Sequence, residues 1–249
     1  MSRWRGLYGA STRAWTYLRA APGTLIYLFT LFVTQLTLAT VDDRLGQRLL
    51  VSESTNLHNM TRMPLQVLIG SAFWIDTNTV LTGATFVLML VVLAPVERWL
   101  GTGRWLLTLA VGHVGATLVT LVATVYLLRH GLLAASPVSV TRATDVGVSY
   151  LLLAAVGVAC YRLPRVSLRV VCAVVLAGGL GAVLWIGHGV TDLGHLSAFL
   201  IGLGCYPVVV FGRRRRRPLA GPVGRSELIV PAQTTVSPDG LVERVVGKR

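Results

Sequence analysis

Apolar residues recur along the chain in six long stretches, separated by shorter segments that are more polar or charged. The stretches lie at about residues 22–40, 80–96, 105–128, 146–161, 167–187 and 193–211. A bilayer core of about 30 Å is crossed by roughly 20 apolar residues in a helix, and most of the stretches approach that length. Because lipid offers no hydrogen bonds, a spanning segment must pair its own backbone groups, which favours helices. The pattern therefore predicts an all-α polytopic membrane protein, a bundle of six transmembrane helices.

Composition supports this class, and the distribution of charge predicts an orientation. Hydrophobic residues make up 53% of the chain and charged residues 13%, against about 25% charged in an average soluble protein. With six spans both termini lie on one side, and that side holds 18 of the 23 Lys and Arg residues. Cytoplasmic loops are enriched in basic residues, so both termini are predicted to be cytoplasmic, in a plasma membrane. Topology thereby explains the net charge of +13, and no nucleic-acid partner is predicted.

Three regions follow from this topology. Residues 1–21 are predicted to form a cytoplasmic N-terminal segment, residues 22–211 a six-span membrane domain, and residues 212–249 a basic cytoplasmic tail whose polar, Pro- and Gly-containing composition predicts disorder. The first span is longer than the apolar core of a cleaved signal peptide, which favours a retained anchor. Arg outnumbers Lys by 22 to 1, a bias typical of a high-GC bacterial genome.

The outer loop between the first two spans, at residues 41–79, has a different character. It contains the run "MPLQVLIGSAFWI" at residues 63–75, which is too short to span a bilayer and too apolar to favour water. A re-entrant or interfacial element fits the length of this run and its two aromatic residues.

Two polar residues stand near the start of the fourth and sixth stretches. Ser149 lies four residues after Asp145, the last charged residue before its stretch. His195 lies three residues after Asp192 in the same way. These two spans run in the same direction, so at about 1.5 Å per residue both side chains are predicted to lie about 5–6 Å inside the outer boundary. Because ionisable groups inside a membrane are costly and commonly functional, the pair is a candidate catalytic site.

Small residues favour a close approach of these two helices. A serine needs a base within about 2.6–3.2 Å to lose its proton, and closely packed helices allow an imidazole to come that near. No acidic residue beside His195 is predicted to be buried with it, which favours a Ser-His dyad over a triad. The small residues that form the face of the sixth stretch are Gly194, Ala198 and Gly202, and Gly147 precedes Ser149 by two positions.

The sequence predicts neither a metal nor a cofactor. The three cysteines, Cys160, Cys172 and Cys205, fall in apolar stretches without metal-ligand spacing, and three unreactive buried thiols are predicted. The chain also has no Gly-rich phosphate loop and no His-Glu-x-x-His motif.

Three motifs, in this order, resemble those of the rhomboid family of intramembrane serine proteases. The first is "ERWLGTGRW" at residues 97–105, which resembles the signature after the family's second span through Glu97, Gly101 and Arg104. The second is "GVSY" at residues 147–150, which resembles the Gly-x-Ser-x nucleophile motif. The third is "GHLSAFLIG" at residues 194–202, which resembles the family's histidine followed by small residues. The resemblance covers roughly residues 20–211.

This resemblance implies a six-span rhomboid-like core that cleaves transmembrane substrates near the outer leaflet. Ser149 would be the nucleophile, and His195 the general base and then the general acid. The implied partners are transmembrane protein substrates and the lipid bilayer. The alternative is a catalytically inactive rhomboid-like protein that binds transmembrane helices. A small transporter or channel ranks last, because no continuous series of ionisable residues joins the two leaflets.

The sequence departs from the family's pattern where many members carry a His-x-x-x-Asn pair in the second span, as donors to the oxyanion. In the run "TVLTGATF" at residues 79–86, Thr82 and Thr85 offer hydroxyl donors, and Asn78 stands at its mouth. The backbone N–H of Ser149 is a further candidate. The family's aromatic residue four positions after the serine is Leu153 here.

Further residues are candidates for shaping the site. Tyr150 and Tyr206 are the tyrosines that would substitute for the missing aromatic residue beside the histidine. His113 is predicted to lie near the membrane centre, away from the depth of Ser149. Two roles for His113 stay open: a structural hydrogen bond between helices, with Thr117 as a candidate partner, or a proton or oxyanion role. His188 and Asp192 are predicted to lie in the short outer loop before the sixth span.

Overall fold

The computed structural model describes residues 19–76, 79–132 and 145–209. Within these ranges the chain forms nine α-helices and no strand, which confirms the predicted all-α class there. The helices are α1 (Pro22–Thr40), α2 (Asp43–Ser52), α3 (Leu57–Arg62), α4 (Pro64–Gly70), α5 (Thr79–Leu100), α6 (Thr102–Arg129), α7 (Val148–Ala159), α8 (Val166–Gly187) and α9 (Val190–Gly204). Short 3₁₀ turns follow α4 at Ser71–Phe73 and α7 at Cys160–Arg162. The predicted basic tail and most of the predicted N-terminal segment lie outside the described residues.

Five of the described helices are long and apolar enough to cross a membrane. They are Pro22–Thr40, Leu81–Leu100, Thr102–Arg129, Val166–Gly187 and Val190–Val209, which correspond to five of the six predicted stretches. The fourth stretch forms the shorter apolar helix Val148–Arg162, whose length of about 22 Å falls below a bilayer core of about 30 Å. The prediction of a multi-pass helical membrane bundle is confirmed, and one helix is shorter than a full span.

The short helix α7 lies at the centre of the bundle. Eight of its 12 residues are buried, and it packs against α5, α6 and α9. Its apolar side chains join those of α1, α5 and α6 in the main core, where Leu31, Leu93 and Val158 are fully buried. Because protein surrounds most of α7, the helix does not need the length of a full span.

Glycine and alanine residues bring α6, α7 and α9 into close contact. A side chain at Gly202 would overlap the backbone of Ala154, and a side chain at Gly112 would overlap the Ala154 methyl group. A side chain at Gly157 would run into the backbone of α9. Ala198 is fully buried one turn before Gly202. Small residues permit this approach between membrane helices, where close packing supplies much of the attraction.

The segment at residues 64–76 is too short to span, and side chains of neighbouring helices satisfy its backbone. Four side chains donate to backbone carbonyl groups of the segment: Tyr27 Oη to Ala72 (2.7 Å), Thr34 Oγ1 to Phe73 (2.6 Å), Gln35 Nε2 to Ile75 (3.3 Å) and His113 Nε2 to Leu68 (2.9 Å). Non-helical backbone is tolerated at membrane depth only where protein or water pairs with it. These bonds therefore allow the segment to pack among α1 and α6.

Glu97 joins α5 to the start of α1 and α6. Its side chain is 1% exposed and accepts hydrogen bonds from Gly23 N–H (2.8 Å), Thr24 N–H (2.7 Å), Thr24 Oγ1 (2.7 Å) and Thr102 Oγ1 (2.8 Å). The N-terminus of α1 supplies three of these donors, two of them backbone N–H groups, at an end where free N–H groups and the helix dipole favour an anion. A buried carboxylate is costly without such partners, so the four bonds are what make this position tolerable.

The other two predicted signature residues lie in the same junction between α5 and α6. Gly101 has a φ of 86°, in the region that favours glycine, and its N–H donates to the Glu97 carbonyl (2.7 Å). Arg104 Nη1 donates to the carbonyl of Leu100 (3.0 Å), the last residue of α5, where carbonyl groups lack a helical partner. Glu97, Gly101 and Arg104 therefore all make hydrogen bonds at the turn between α5 and α6.

We predict that Glu97→Ala destabilises the bundle, because it leaves the buried N–H and hydroxyl of Thr24 and the half-buried N–H of Gly23 without an acceptor. Each unsatisfied buried group costs about 1–3 kcal/mol. Asp43→Ala, which removes an exposed carboxylate from the first turn of α2, is the matched control. Unfolding in SDS titrations measures the free energy of unfolding of both variants. A loss in Glu97→Ala no larger than in Asp43→Ala would contradict the prediction.

Candidate active site

Ser149 lies in the first turn of α7, and protein contacts hold the loop that precedes it. Gly147 N–H donates to the Ser71 carbonyl (2.9 Å), which ties the start of α7 to the turn after α4. Tyr150 N–H donates back to the Gly147 carbonyl (3.1 Å). The N–H of Ser149 has no acceptor among the described residues. Helix N-termini leave such donors free, so this N–H is available to a ligand.

Ser149 and His195 meet across the interface of α7 and α9. Ser149 Oγ lies 2.9 Å from His195 Nε2, which is a hydrogen-bond distance. Both residues are half-buried. When the serine hydroxyl donates, Nε2 is the acceptor and the neutral ring carries its proton on Nδ1. This is the geometry in which an imidazole can take the proton of a serine.

Asp192 lies on the other side of the His195 ring. Its Oδ1 is 4.0 Å from His195 Nδ1, and its side chain is 24% exposed. This distance is too long for a hydrogen bond, but the carboxylate can still attract a proton on Nδ1. The sequence pattern places Asp192 in a loop, whereas α9 begins at Val190 and puts Asp192 one helical turn before His195. Ser149 is therefore the hydrogen-bonded partner of His195, and Asp192 is a charged neighbour.

Tyr150 is the tyrosine that contacts His195. The two ring centroids are 5.6 Å apart, with the planes at 71°, an edge-to-face arrangement. Tyr150 is fully buried. Its ring fits because Gly194 has no side chain, and an added side chain there would overlap the Tyr150 hydroxyl. Tyr206, the other candidate, packs instead against Tyr161, with centroids 5.0 Å apart. The position of Tyr150 one residue after Ser149 turns its ring toward α9.

Asp145 holds the hydroxyl of Tyr150. Tyr150 Oη donates to the Asp145 carboxylate, 2.9 and 3.1 Å from its two oxygens, and Thr55 Oγ1 donates to Oδ2 (3.2 Å). Thr55 N–H also donates to the Asp145 carbonyl (2.9 Å). Burial raises the pKa of the Asp145 carboxyl, and the hydrogen bonds from Tyr150 and Thr55 oppose that rise. Asp145 therefore connects the turn between α2 and α3 to the ring beside His195.

His113 lies level with the start of α7, so the prediction that places it away from the depth of Ser149 is wrong. A side chain at Gly147 would overlap the His113 imidazole, and the two residues are in direct contact. Counting along the chain fails here because α7 is short. Its first turn lies beside the middle of the 28-residue α6, where His113 contacts Gly147.

The hydrogen-bond partners of His113 also differ from the candidate Thr117. His113 Nε2 donates to the Leu68 carbonyl (2.9 Å) and lies 3.3 Å from Ser71 Oγ. The carbonyl can only accept, so Nε2 carries a proton. His113 Nδ1 and Thr117 Oγ1 are buried without a hydrogen-bond partner among the described residues. His113 thus bonds to the segment at residues 64–76 and supports the loop before Ser149 through Gly147.

Both threonines among the candidate oxyanion donors already have other interactions. Thr85 donates its hydroxyl to the Leu81 carbonyl (2.8 Å), one turn back along α5. Thr82 is not free either, and Asn78 lies outside the described residues. A donor that is already paired must break a bond before it can stabilise an oxyanion. Of the candidate donors that the structure describes, the N–H of Ser149 is the one without a competing acceptor.

Two of the three cysteines are neighbours, a pairing that the sequence pattern does not indicate. Cys160 Sγ lies 3.8 Å from Cys172 Sγ, and Cys205 is a third free thiol in the main core. Over the described ranges, no group of three or more His, Cys, Asp or Glu side chains is arranged to hold a metal ion.

Comparison with known families agrees with the fold and with the three motifs. A family model described as "rhomboid-like protein" matches residues 16–216, which include every described helix. The chain belongs to the rhomboid-like family. The predicted resemblance is thereby confirmed for this rhomboid-like protein. No curated protein and no solved structure matches the chain.

We predict that Gly147→Ala destabilises the rhomboid-like bundle, because the added methyl group would overlap the His113 ring. The backbone φ of −82° at this position suits any residue, so overlap alone is responsible. Overpacking of this kind costs about 1–3 kcal/mol. Replacing His113 by Ala removes the obstacle, so in the double variant Gly147→Ala should cost less than it does alone.

The matched control for this double-mutant cycle is Gly83→Ala. Gly83 lies in α5 with nothing within 4 Å of an added side chain, and alanine favours a helix there. SDS unfolding of the two single variants and the double variant measures the coupling free energy. Strict additivity of the Gly147 and His113 changes would show that the two residues do not interact.

Proposed function

We propose that this rhomboid-like protein is an intramembrane serine protease that cleaves transmembrane substrates with a dyad of Ser149 and His195. The observation that carries the proposal is the 2.9 Å distance between Ser149 Oγ and His195 Nε2. Nucleophilic catalysis by serine requires such a base within hydrogen-bond reach. Membership of the rhomboid-like family and the position of both residues inside a helical membrane bundle support it.

In the proposed reaction His195 acts first as the general base and then as the general acid. Nε2 takes the proton of Ser149 while Oγ attacks the scissile carbonyl carbon, and the imidazolium then gives that proton to the leaving amine. The same nitrogen next takes a proton from the water that attacks the acyl ester, and it returns that proton to Ser149 Oγ as the ester bond breaks. The Tyr150 ring restricts rotation of the imidazole, and the Asp192 carboxylate stabilises its positive charge.

The oxyanion that forms on the substrate has limited support from the described residues. The N–H of Ser149 can donate to it, whereas Thr85 would first have to release the Leu81 carbonyl. Removing one oxyanion donor slows a serine protease about 100- to 1000-fold. We therefore expect a slow enzyme, whose rate depends mainly on the pairing of serine with histidine.

A second function, an inactive rhomboid-like protein that binds transmembrane helices, is favoured by those engaged donors and by an apolar recess. The recess lies between α1, α4 and α6 and has a volume of about 630 Å³. Its lining includes the exposed side chains of Ile26, Leu65 and Leu106. Neither Ser149 nor His195 lines this recess, so binding there needs no catalysis.

We also propose that the protein lies in the plasma membrane with both termini in the cytoplasm, which places Ser149 in the outer half of the bilayer. The concentration of basic residues on the side of the termini supports this orientation. Fusion of a green fluorescent protein to the C-terminus, which fluoresces only in the cytoplasm, is expected to give a fluorescent membrane. An active alkaline phosphatase fusion at the same position would show that the C-terminus lies on the outer side and would contradict the proposed orientation.

We predict that a fluorophosphonate probe labels the purified protein in liposomes. Labelling is expected to vanish in Ser149→Ala, which lacks the nucleophile, and to fall by at least 100-fold in His195→Ala, which lacks the base. Ser167→Ala removes an exposed hydroxyl from the first turn of α8 and should label like the wild type. Cleavage of a model transmembrane substrate in the same liposomes should follow the same order.

Two outcomes would count against this function. If folded wild-type protein neither labels nor cleaves, the inactive helix-binding function replaces the protease. If labelling survives in Ser149→Ala, the reactive serine lies elsewhere in the chain.

A further inference from the structure

Two cysteine sulfurs lie side by side at the junction of α7 and α8. Cys160 Sγ is 3.8 Å from Cys172 Sγ, close enough for a weak hydrogen bond between the thiols. Both are free, and Cys160 is buried whereas Cys172 is half-buried. The reaction proposed above uses neither of them.

One member of the pair is held firmly. The 3₁₀ turn that contains Cys160 is anchored on α9, because Tyr161 donates its hydroxyl to the Leu203 carbonyl (2.7 Å). The Tyr161 ring also packs against Tyr206, with centroids 5.0 Å apart. The Cys160 thiol itself can donate to the Val156 carbonyl (3.5 Å). These contacts fix the position of the Cys160 sulfur relative to α7 and α9.

The other member lies on the helix that is least buried. No residue of α8 is buried, whereas the other long helices each bury part of their length. A disulfide bond is about 2.05 Å long, so the two sulfurs must approach from 3.8 Å. A helix with so little buried surface can make that adjustment by a small shift or a change of the Cys172 side-chain rotamer.

We propose that Cys160 and Cys172 are a hydroperoxide-sensitive thiol pair that forms a disulfide and fastens α8 to the end of α7. The exposed part of Cys172 lies on α8 among exposed apolar residues such as Val171 and Val175. An organic hydroperoxide is uncharged and can dissolve at such a surface, whereas a charged oxidant is excluded from it.

The reaction proceeds in two balanced steps. The Cys172 sulfur attacks the terminal oxygen of the hydroperoxide, so that an S–O bond forms and the O–O bond breaks. The alkoxide leaves with the proton of the Cys172 thiol as an alcohol, and Cys172 becomes a sulfenic acid. The Cys160 sulfur then attacks the sulfenic sulfur, the S–S bond forms, and the S–O bond breaks. The hydroxide leaves with the proton of the Cys160 thiol as water. In total two electrons pass from the two thiols to the peroxide.

The experiment counts free thiols on the full chain in liposomes before and after treatment with cumene hydroperoxide. The protein is quenched, unfolded in SDS and alkylated with N-ethylmaleimide, and its intact mass is measured. Reduced protein is expected to carry three labels, and oxidised protein one label, on Cys205. A phosphine reductant should restore three labels, and peptide mapping should identify the link between Cys160 and Cys172.

Matched variants separate this pair from other thiol chemistry. Cys205→Ser keeps the pair and should lose both of its labels on oxidation. Cys172→Ser should keep both of its labels, because neither remaining thiol has a partner. Retention of three labels by oxidised wild-type protein would overturn the proposal, as would a disulfide that involves Cys205 or joins two chains. None of these outcomes depends on whether Ser149 is catalytic.

Discussion

Backbone groups without a helical partner must be paired by protein when they lie within a bilayer, and this constraint organises the region around Ser149. The segment at residues 64–76 satisfies it through side chains of α1 and α6, such as Tyr27 and His113. Directly before α7, Gly147 N–H donates to the Ser71 carbonyl. The start of α7 is thereby fixed inside the bundle, and Ser149 is held where α9 can reach it.

Carboxyl groups join parts of the chain that are distant in sequence. Glu97 accepts four hydrogen bonds and connects α5 to the start of α1 and α6. Asp145 accepts from Thr55 and Tyr150 and connects the turn after α2 to the ring beside His195. A buried carboxylate demands several donors, and donors from separate elements bring those elements together.

Close helix packing shapes the candidate site. Gly194 leaves room for the Tyr150 ring, and Gly202 lets α9 approach the backbone of α7. This proximity allows a 2.9 Å contact between Ser149 and His195 without a hydrogen-bonded acid behind the histidine. A serine paired with histidine in this way, with one unengaged N–H near it, suits the slow hydrolysis within a membrane that we propose.

The sequence by itself determined the class of the protein, the approximate spans and the family motifs, because length and hydropathy are local properties of each segment. It also indicated Ser149 and His195 as neighbours, since each begins its own stretch. Only the tertiary structure decided the level of His113, the choice of Tyr150 over Tyr206 and the pairing of two thiols. The rotation of a helix and its offset along the bundle arise from packing, and counting from a charged residue assumes a start at the boundary. Helix α7 begins inside the bundle, so that assumption fails where the site is built.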